Sequence, residues 1–279
     1  MTAQAGTITS STSVPAVAVG PRYLGLLLAL RRLRPIVLPI VTTIIILVVW
    51  EAGVRIYDVS PVILPPPSSI AASLIRNFPL LMHHAAQTTE EAAQGFGLAV
   101  VTGFLCGFAL AYSPLFREAT YPHMVFFQLI PKVALAPLFI MWLGVGSDSR
   151  LAFTVFIAFF PILVATASGL TGVEDRYLRF CRAITASKWQ TFTRVRLPFA
   201  LPQIFAGLKI GVTMSFIGII VGEFITSQSG LGYLILFAST RAETATIFAS
   251  IFILCVVGML FYAVVSIVER VILHRYGNR

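Results

Sequence analysis

Six apolar runs of membrane-spanning length set the limits of this chain. They cover residues 36–50, 92–112, 121–143, 151–170, 202–225 and 246–267. A helix needs about 20 apolar residues to cross a bilayer. In hydrocarbon the backbone must satisfy its own polar groups, which leaves helices or closed barrels. The strict alternation of a barrel strand is missing, so helices are expected. The chain is 57% hydrophobic and only 11% charged, against about 25% charged in soluble domains. The expected fold class is an all-α integral membrane protein with six transmembrane helices. The first run follows Arg22, Arg31, Arg32 and Arg34 as a secretory signal would, but no small-residue cleavage site follows it, so it reads as a retained span.

The charges give a topology. The net charge is +9. Membrane proteins collect Lys and Arg in cytoplasmic loops, which accounts for the excess without nucleic acid as a partner. With six spans, one side holds 14 of the basic residues and the other only four, Arg55, Arg76, Arg150 and Arg241. The bias puts both termini in the cytoplasm. The expected organisation is a disordered cytoplasmic tail over 1–34, a transmembrane domain over 35–270 with a cytoplasmic loop at 173–199, and a short tail over 271–279. Cys106, Cys181 and Cys255 share no metal-site or disulfide spacing, and the four histidines are scattered.

The 173–199 loop is unusual. Between Arg176 and Arg196 it carries six basic residues and no acid, interleaved with aromatics: FCRAITASKWQTFTRVRLP. It reads as two amphipathic helices. Asp175 or Glu174 starts the first. Thr185 or Ser187 caps the second, and Pro198 ends it. Such a segment suits either the anionic inner leaflet or a cytoplasmic partner.

The spacing from Thr185 to Val195 and on through Arg196-Leu197-Pro198 resembles the E-A-A-x-x-x-G, nine residues, I-x-L-P loop of ABC-importer permeases. LPPPSSI (64–70), IPKVALAPLFIMWLGVG (130–146), FFPILVATASGL (159–170) and SGLGYLI (229–235) are similar to the nitrate/sulfonate/taurine group. The likeness covers roughly residues 60–270. It implies the type I ABC importer permease fold, a bacterial inner-membrane location and no enzymatic activity on this chain. The implied partners are a second permease subunit, as a homodimer or a near relative, two cytoplasmic ATPase subunits that carry the ATP and Mg, and an extracytoplasmic solute-binding protein. The loop would be the coupling helix, with Thr185, Ala186, Ser187, Lys188 and Trp189 touching the ATPase, Arg182 and Phe192 supporting them, and Pro198 fixing the elbow into span five. The motif's Glu-Ala-Ala falls on Arg179-Phe180-Cys181 and its Gly on Thr185, so the turn either needs no positive φ or uses Thr185 as a cap. No phosphate-cradling G-x-x-x-x-G-K-[ST] occurs in the chain.

The candidate path residues are Pro131, Lys132 and Pro137 in span three and Glu223 in span five. Prolines in a span free backbone groups, which is tolerable beside a cavity. Lys132 either attracts an anion or snorkels to the interface. Glu223 and Lys209 read as interfacial, with Glu223 also able to line an outer gate, and as the one acid within a span. Arg76, Arg150, Arg241 and Glu243 are candidates for binding-protein contact. Gly103-x-x-x-Gly107, Gly207-x-x-x-Gly211 and Gly218-x-x-x-Gly222 suit close helix packing within one subunit. The resemblance implies a small solute, a sulfonate, taurine or nitrate-like anion or else a pyrimidine vitamin precursor. A self-contained secondary transporter is the rival reading. It calls for an internal repeat and ion-coordinating acids in broken helices.

Overall fold

A computed structural model describes residues 21–226 and 228–277, with side-chain surroundings for residues 34–275 other than 36, 114, 121, 125 and 227. The chain divides into two units at Tyr57. The first is essentially one helix, α1 (Pro21–Ile56). Its apolar side chains from Val37 to Val49 are almost all exposed, as befits a helix whose solvent is lipid. Thr43 Oγ1 donates to the Pro39 carbonyl at 2.8 Å, which satisfies the hydroxyl within the helix. Residues 21–34 are helical, which corrects the expected tail over that stretch; residues 1–20 lie outside the described residues.

Among its described residues the second unit's regular elements are all helical. Its elements are α2 (Pro67–Arg76), α3 (Phe78–Tyr112), α4 (Pro114–Leu129), a 3-10 turn (Lys132–Leu135), α5 (Ala136–Leu143), α6 (Ser147–Thr171), α7 (Asp175–Ala183), α8 (Lys188–Thr191), a π-type turn (Phe192–Arg196), α9 (Leu197–Thr226), α10 (Leu231–Thr240) and α11 (Thr244–Gly277). Five helices are long and apolar enough to cross a membrane, and α4 with α5 supplies a sixth, bent span. The helix α11 runs on to Gly277, so residues 271–277 continue it rather than form a separate tail.

The core is α6 held between α3 and α9. Glycine makes that possible. A Cβ on Gly107 would lie 2.7 Å from Thr166 Cβ, and one on Gly218 only 2.9 Å from Thr154 Cα. Gly103 and Gly211 press on opposite sides of the same residue, Ile162. In lipid, burying apolar surface drives little association, so close packing of this kind is what holds helices together. All three spaced glycine pairs therefore pack inside the subunit against α6.

Span three is the largest departure from the expected helices. It breaks after α4, and the two halves are bent by 93°. The cause is local. Proline pushes the residue before it out of the helical region, and Ile130 is extended at φ −68°, ψ 133°. Pro131 then opens the 3-10 turn, where Ala134 N donates to its carbonyl at 2.9 Å. Pro137 sits in the first turn of α5, where its missing N–H costs nothing.

Candidate functional site

The 173–199 loop builds an exposed knob on a fixed root. α7 buries Cys181 and packs Tyr177 against Phe199 of α9, with ring centroids 5.2 Å apart. Its end is a left-handed cap: Ala186 N donates to the Cys181 carbonyl at 2.9 Å, with Thr185 between them at φ +54°. Glycine usually holds that position. The turn thus does need positive φ, and a β-branched residue supplies it under strain. Ser187, not Thr185, caps the next helix. Its Oγ accepts from Gln190 N at 3.1 Å while its own N–H donates to Gln190 Oε1 at 2.8 Å, a complete capping box.

Pro198 does not end that helix. From Lys188 the chain stays helical to Thr226. The accommodation is the π-type turn, in which Leu197 N donates to the Phe192 carbonyl five residues back. A widened turn just before a proline relieves the ring's collision with the preceding carbonyl. Phe192 lies edge-on to Phe108 and Tyr112 of α3, at 5.6 and 5.8 Å, and the Arg196 guanidinium sits 5.3 Å over Tyr112. These contacts anchor the root. At the tip Ile184 is 57% exposed, Phe180 63% and Trp189 71%. Arg182, Thr185, Ser187 and Lys188 are exposed beside them, and Ala186 is half-buried. Arg182 Nε reaches the Leu178 carbonyl at 3.3 Å.

At the break in span three, Lys132 faces a cleft of about 350 Å³ that Gln128, Phe160, Pro161, Val164, Ala165, Gln203 and Ile210 also line. Its Nζ rests 4.8 Å over the Phe160 ring. Pro131 and Pro137 flank it in sequence. Glu223 is not in this cleft. It is closed in among the helices rather than lining an open gate: only 2% exposed, it accepts from Thr88 Oγ1 and from Gly232 N, both at 2.7 Å. Thr88 Oγ1 accepts in turn from Leu231 N at 2.8 Å, and His84 Nδ1 from Gly230 N at 3.0 Å. The network ties α3, α9 and the start of α10 together.

Two further cations point inward. Arg150, expected at the outer surface, is buried and makes a two-pronged pair with Glu91, at 2.8 Å from Nε and 2.5 Å from Nη2. Since α3 begins at Phe78, Glu90 and Glu91 lie within a helix of membrane-spanning length as well. Lys209 pairs with Glu269 of α11 at 2.5 Å. Of the remaining outer candidates, Arg76 and Glu243 line a polar recess of about 530 Å³ between α2 and the start of α11. Arg241 lies instead over the Phe237 ring at 4.5 Å. His84, Thr88 and Glu91 escaped the sequence reading because they precede the second apolar run. The Glu90-Glu91 and His83-His84 doublets, met inside one long helix, were the signal.

Residues 99–277 match the family described as "Binding-protein-dependent transport system inner membrane component". The formylaminopyrimidine transport permease protein ThiX of Halalkalibacterium halodurans is 34% identical over 84% of this chain and 94% of its own length. The putative aliphatic sulfonates transport permease protein SsuC of Bacillus subtilis is 31% identical over 82% of this chain and 84% of its own. Among solved structures, the inward-facing MetNI methionine ABC transporter shares the fold: TM-score 0.60 at 17% identity, over 70% of this chain and 96% of that one. Helices that can span a membrane, the exposed loop and these likenesses agree: the chain belongs to the binding-protein-dependent transport system inner membrane components, the multi-pass, non-catalytic permease subunits of bacterial ABC importers.

Proposed function

We propose that this permease carries a small organic anion, a sulfonate in the first instance, by alternating access between two copies of the chain. Both termini and the 173–199 loop face the cytoplasm. Two ATPase subunits, which bind the ATP and Mg, receive the knob formed by Ile184–Trp189, and a loaded binding protein docks on the opposite side. The observation that carries this reading is the knob itself: apolar Ile184 and Trp189 are held out on a capped, strained turn while its root is packed on α3. A surface helix lying on lipid requires no such turn. Closure of the partner ATPases would push the knob, and the unbroken helix from Lys188 to Thr226 would carry that push into the core.

The aliphatic-sulfonate relative supports an anionic cargo, as does the uncompensated Lys132. The formylaminopyrimidine relative favours a second reading, a pyrimidine vitamin precursor on the same machinery. The two separate in proteoliposomes that hold the chain with its ATPase partner and binding protein. Ethanesulfonate is expected to raise ATP hydrolysis several-fold. Stimulation by an aminopyrimidine alone transfers the cargo to the second reading. Hydrolysis indifferent to both contradicts each.

A further inference from the structure

Lys132 stands at the break in span three, Arg150 on α6 and Lys209 on α9. Two are neutralised by carboxylates of the same chain, Arg150 by Glu91 and Lys209 by Glu269. Lys132 has no carboxylate within 4 Å among the described residues. Its ammonium group rests instead on the face of Phe160. A ring face offers an ammonium group about 0.5–2 kcal/mol, which leaves room for an anion to compete.

The surroundings suit an anion of one kind. Gln128 and Gln203 line the cleft from α4 and α9, so two carboxamides stand with the ammonium group around one space. Each can donate two N–H bonds. Pro161, Val164, Ala165 and Ile210 form an apolar wall. The volume, about 350 Å³, exceeds what a short-chain sulfonate or carboxylate occupies. Lys132 stands at the break after Ile130–Pro131, in the first position of the 3-10 turn, and from there its ammonium group reaches Phe160 of α6.

We propose that Lys132, Gln128 and Gln203 form an oxyanion-holding site in this cleft, taking a sulfonate or carboxylate head with a short apolar stem. It deepens, and rests on, the reading of the chain as a permease for small organic anions. The same head chemistry could come from the passing solute or from an anionic lipid headgroup. The open, amide-lined design favours brief residence, as a transport pathway requires: binding must be good enough to enter and weak enough to leave.

The test reads binding without turnover. In the full-length chain Cys106, Cys181 and Cys255, none of which lines the cleft, are changed to Ser, and Val164→Cys places a thiol in its wall. In phosphatidylcholine nanodiscs that thiol is reacted with an anionic or a cationic methanethiosulfonate. The ratio of anionic to cationic rates is expected to fall about tenfold with Lys132→Met and to survive Lys132→Arg, which keeps the charge and so separates its loss from misfolding. Ethanesulfonate, but not neutral ethyl methyl sulfone, is expected to slow labelling, and Gln128→Leu with Gln203→Leu to abolish that protection. Slowing by phosphatidylglycerol in place of ethanesulfonate keeps the oxyanion site and assigns its occupant to lipid. An unchanged ratio with no protection by either overturns the proposal. Import of a neutral cargo beside an intact rate ratio would refute the proposed cargo and leave the site standing.

Discussion

Arg150→Met is expected to cost about 3–5 kcal/mol of stability, among the largest losses for any single side chain here. The guanidinium meets Glu91 through two hydrogen bonds, with 9% of the Arg150 side chain and 21% of the Glu91 side chain exposed. Removing the cation strands a carboxylate in a nearly closed space between α3 and α6, where little water can replace the lost partner. The pair itself need not be strongly stabilising, because desolvation offsets most of its attraction. Glu91→Gln/Arg150→Met is therefore expected to recover most of the loss. Thermal unfolding in detergent checks both variants. A single variant within about 1 kcal/mol of the native chain, or a double variant no better than the single, contradicts this account of the pair.

Gly230→Ala is the second large effect. Gly230 sits at φ +98°, ψ 165°, a region essentially reserved for glycine that costs other residues about 1–3 kcal/mol. An added Cβ would also fall within the Glu223 carboxylate. That carboxylate holds Thr88 Oγ1 and Gly232 N, so it cannot retreat without orphaning them. Gly144→Ala provides the comparison: φ is +82° there too, but nothing lies within 4 Å of the new atom. Thermal unfolding should show Gly144→Ala losing only the backbone strain and Gly230→Ala about 2 kcal/mol more. Equal losses would mean that the network around Glu223 yields freely.

The six apolar runs were legible because lipid demands long apolar helices and little else does. Their ends were less so. Hydropathy cannot foresee that Glu91 and Arg150, distant in sequence, cancel each other's charge, so α3 was read as starting 14 residues late. For the same reason Arg150 passed for a surface residue. Pro131 pointed correctly to a weak place in span three, but a proline in a sequence does not reveal whether a helix kinks slightly or turns by 93°. Pro198 illustrates the converse: the π-type turn absorbs it, and a turn of that kind has no composition of its own. Gly207, Gly211, Gly218 and Gly222 announced close packing, though not that α6 would be the common partner. Within the loop, Ser187 with Gln190 was a capping box in plain sight, whereas the left-handed Thr185 was hidden by a residue type that seldom adopts that conformation.

The central claim, that the Ile184–Trp189 knob is where the ATPase grips this permease, is tested most directly by co-purification from detergent. The native chain and Lys188→Glu/Trp189→Ala are each captured with the cytoplasmic ATPase partner. Both altered side chains are exposed, so the fold, checked by the unfolding temperature, should not change. The account predicts that the native chain retains the ATPase and that the double variant loses at least about nine-tenths of it, since an exposed aromatic anchor with a charge reversal beside it is worth about 2 kcal/mol or more at an interface. Equal recovery of the ATPase with both chains, at unchanged unfolding temperature, would contradict it and make the segment a membrane-surface helix.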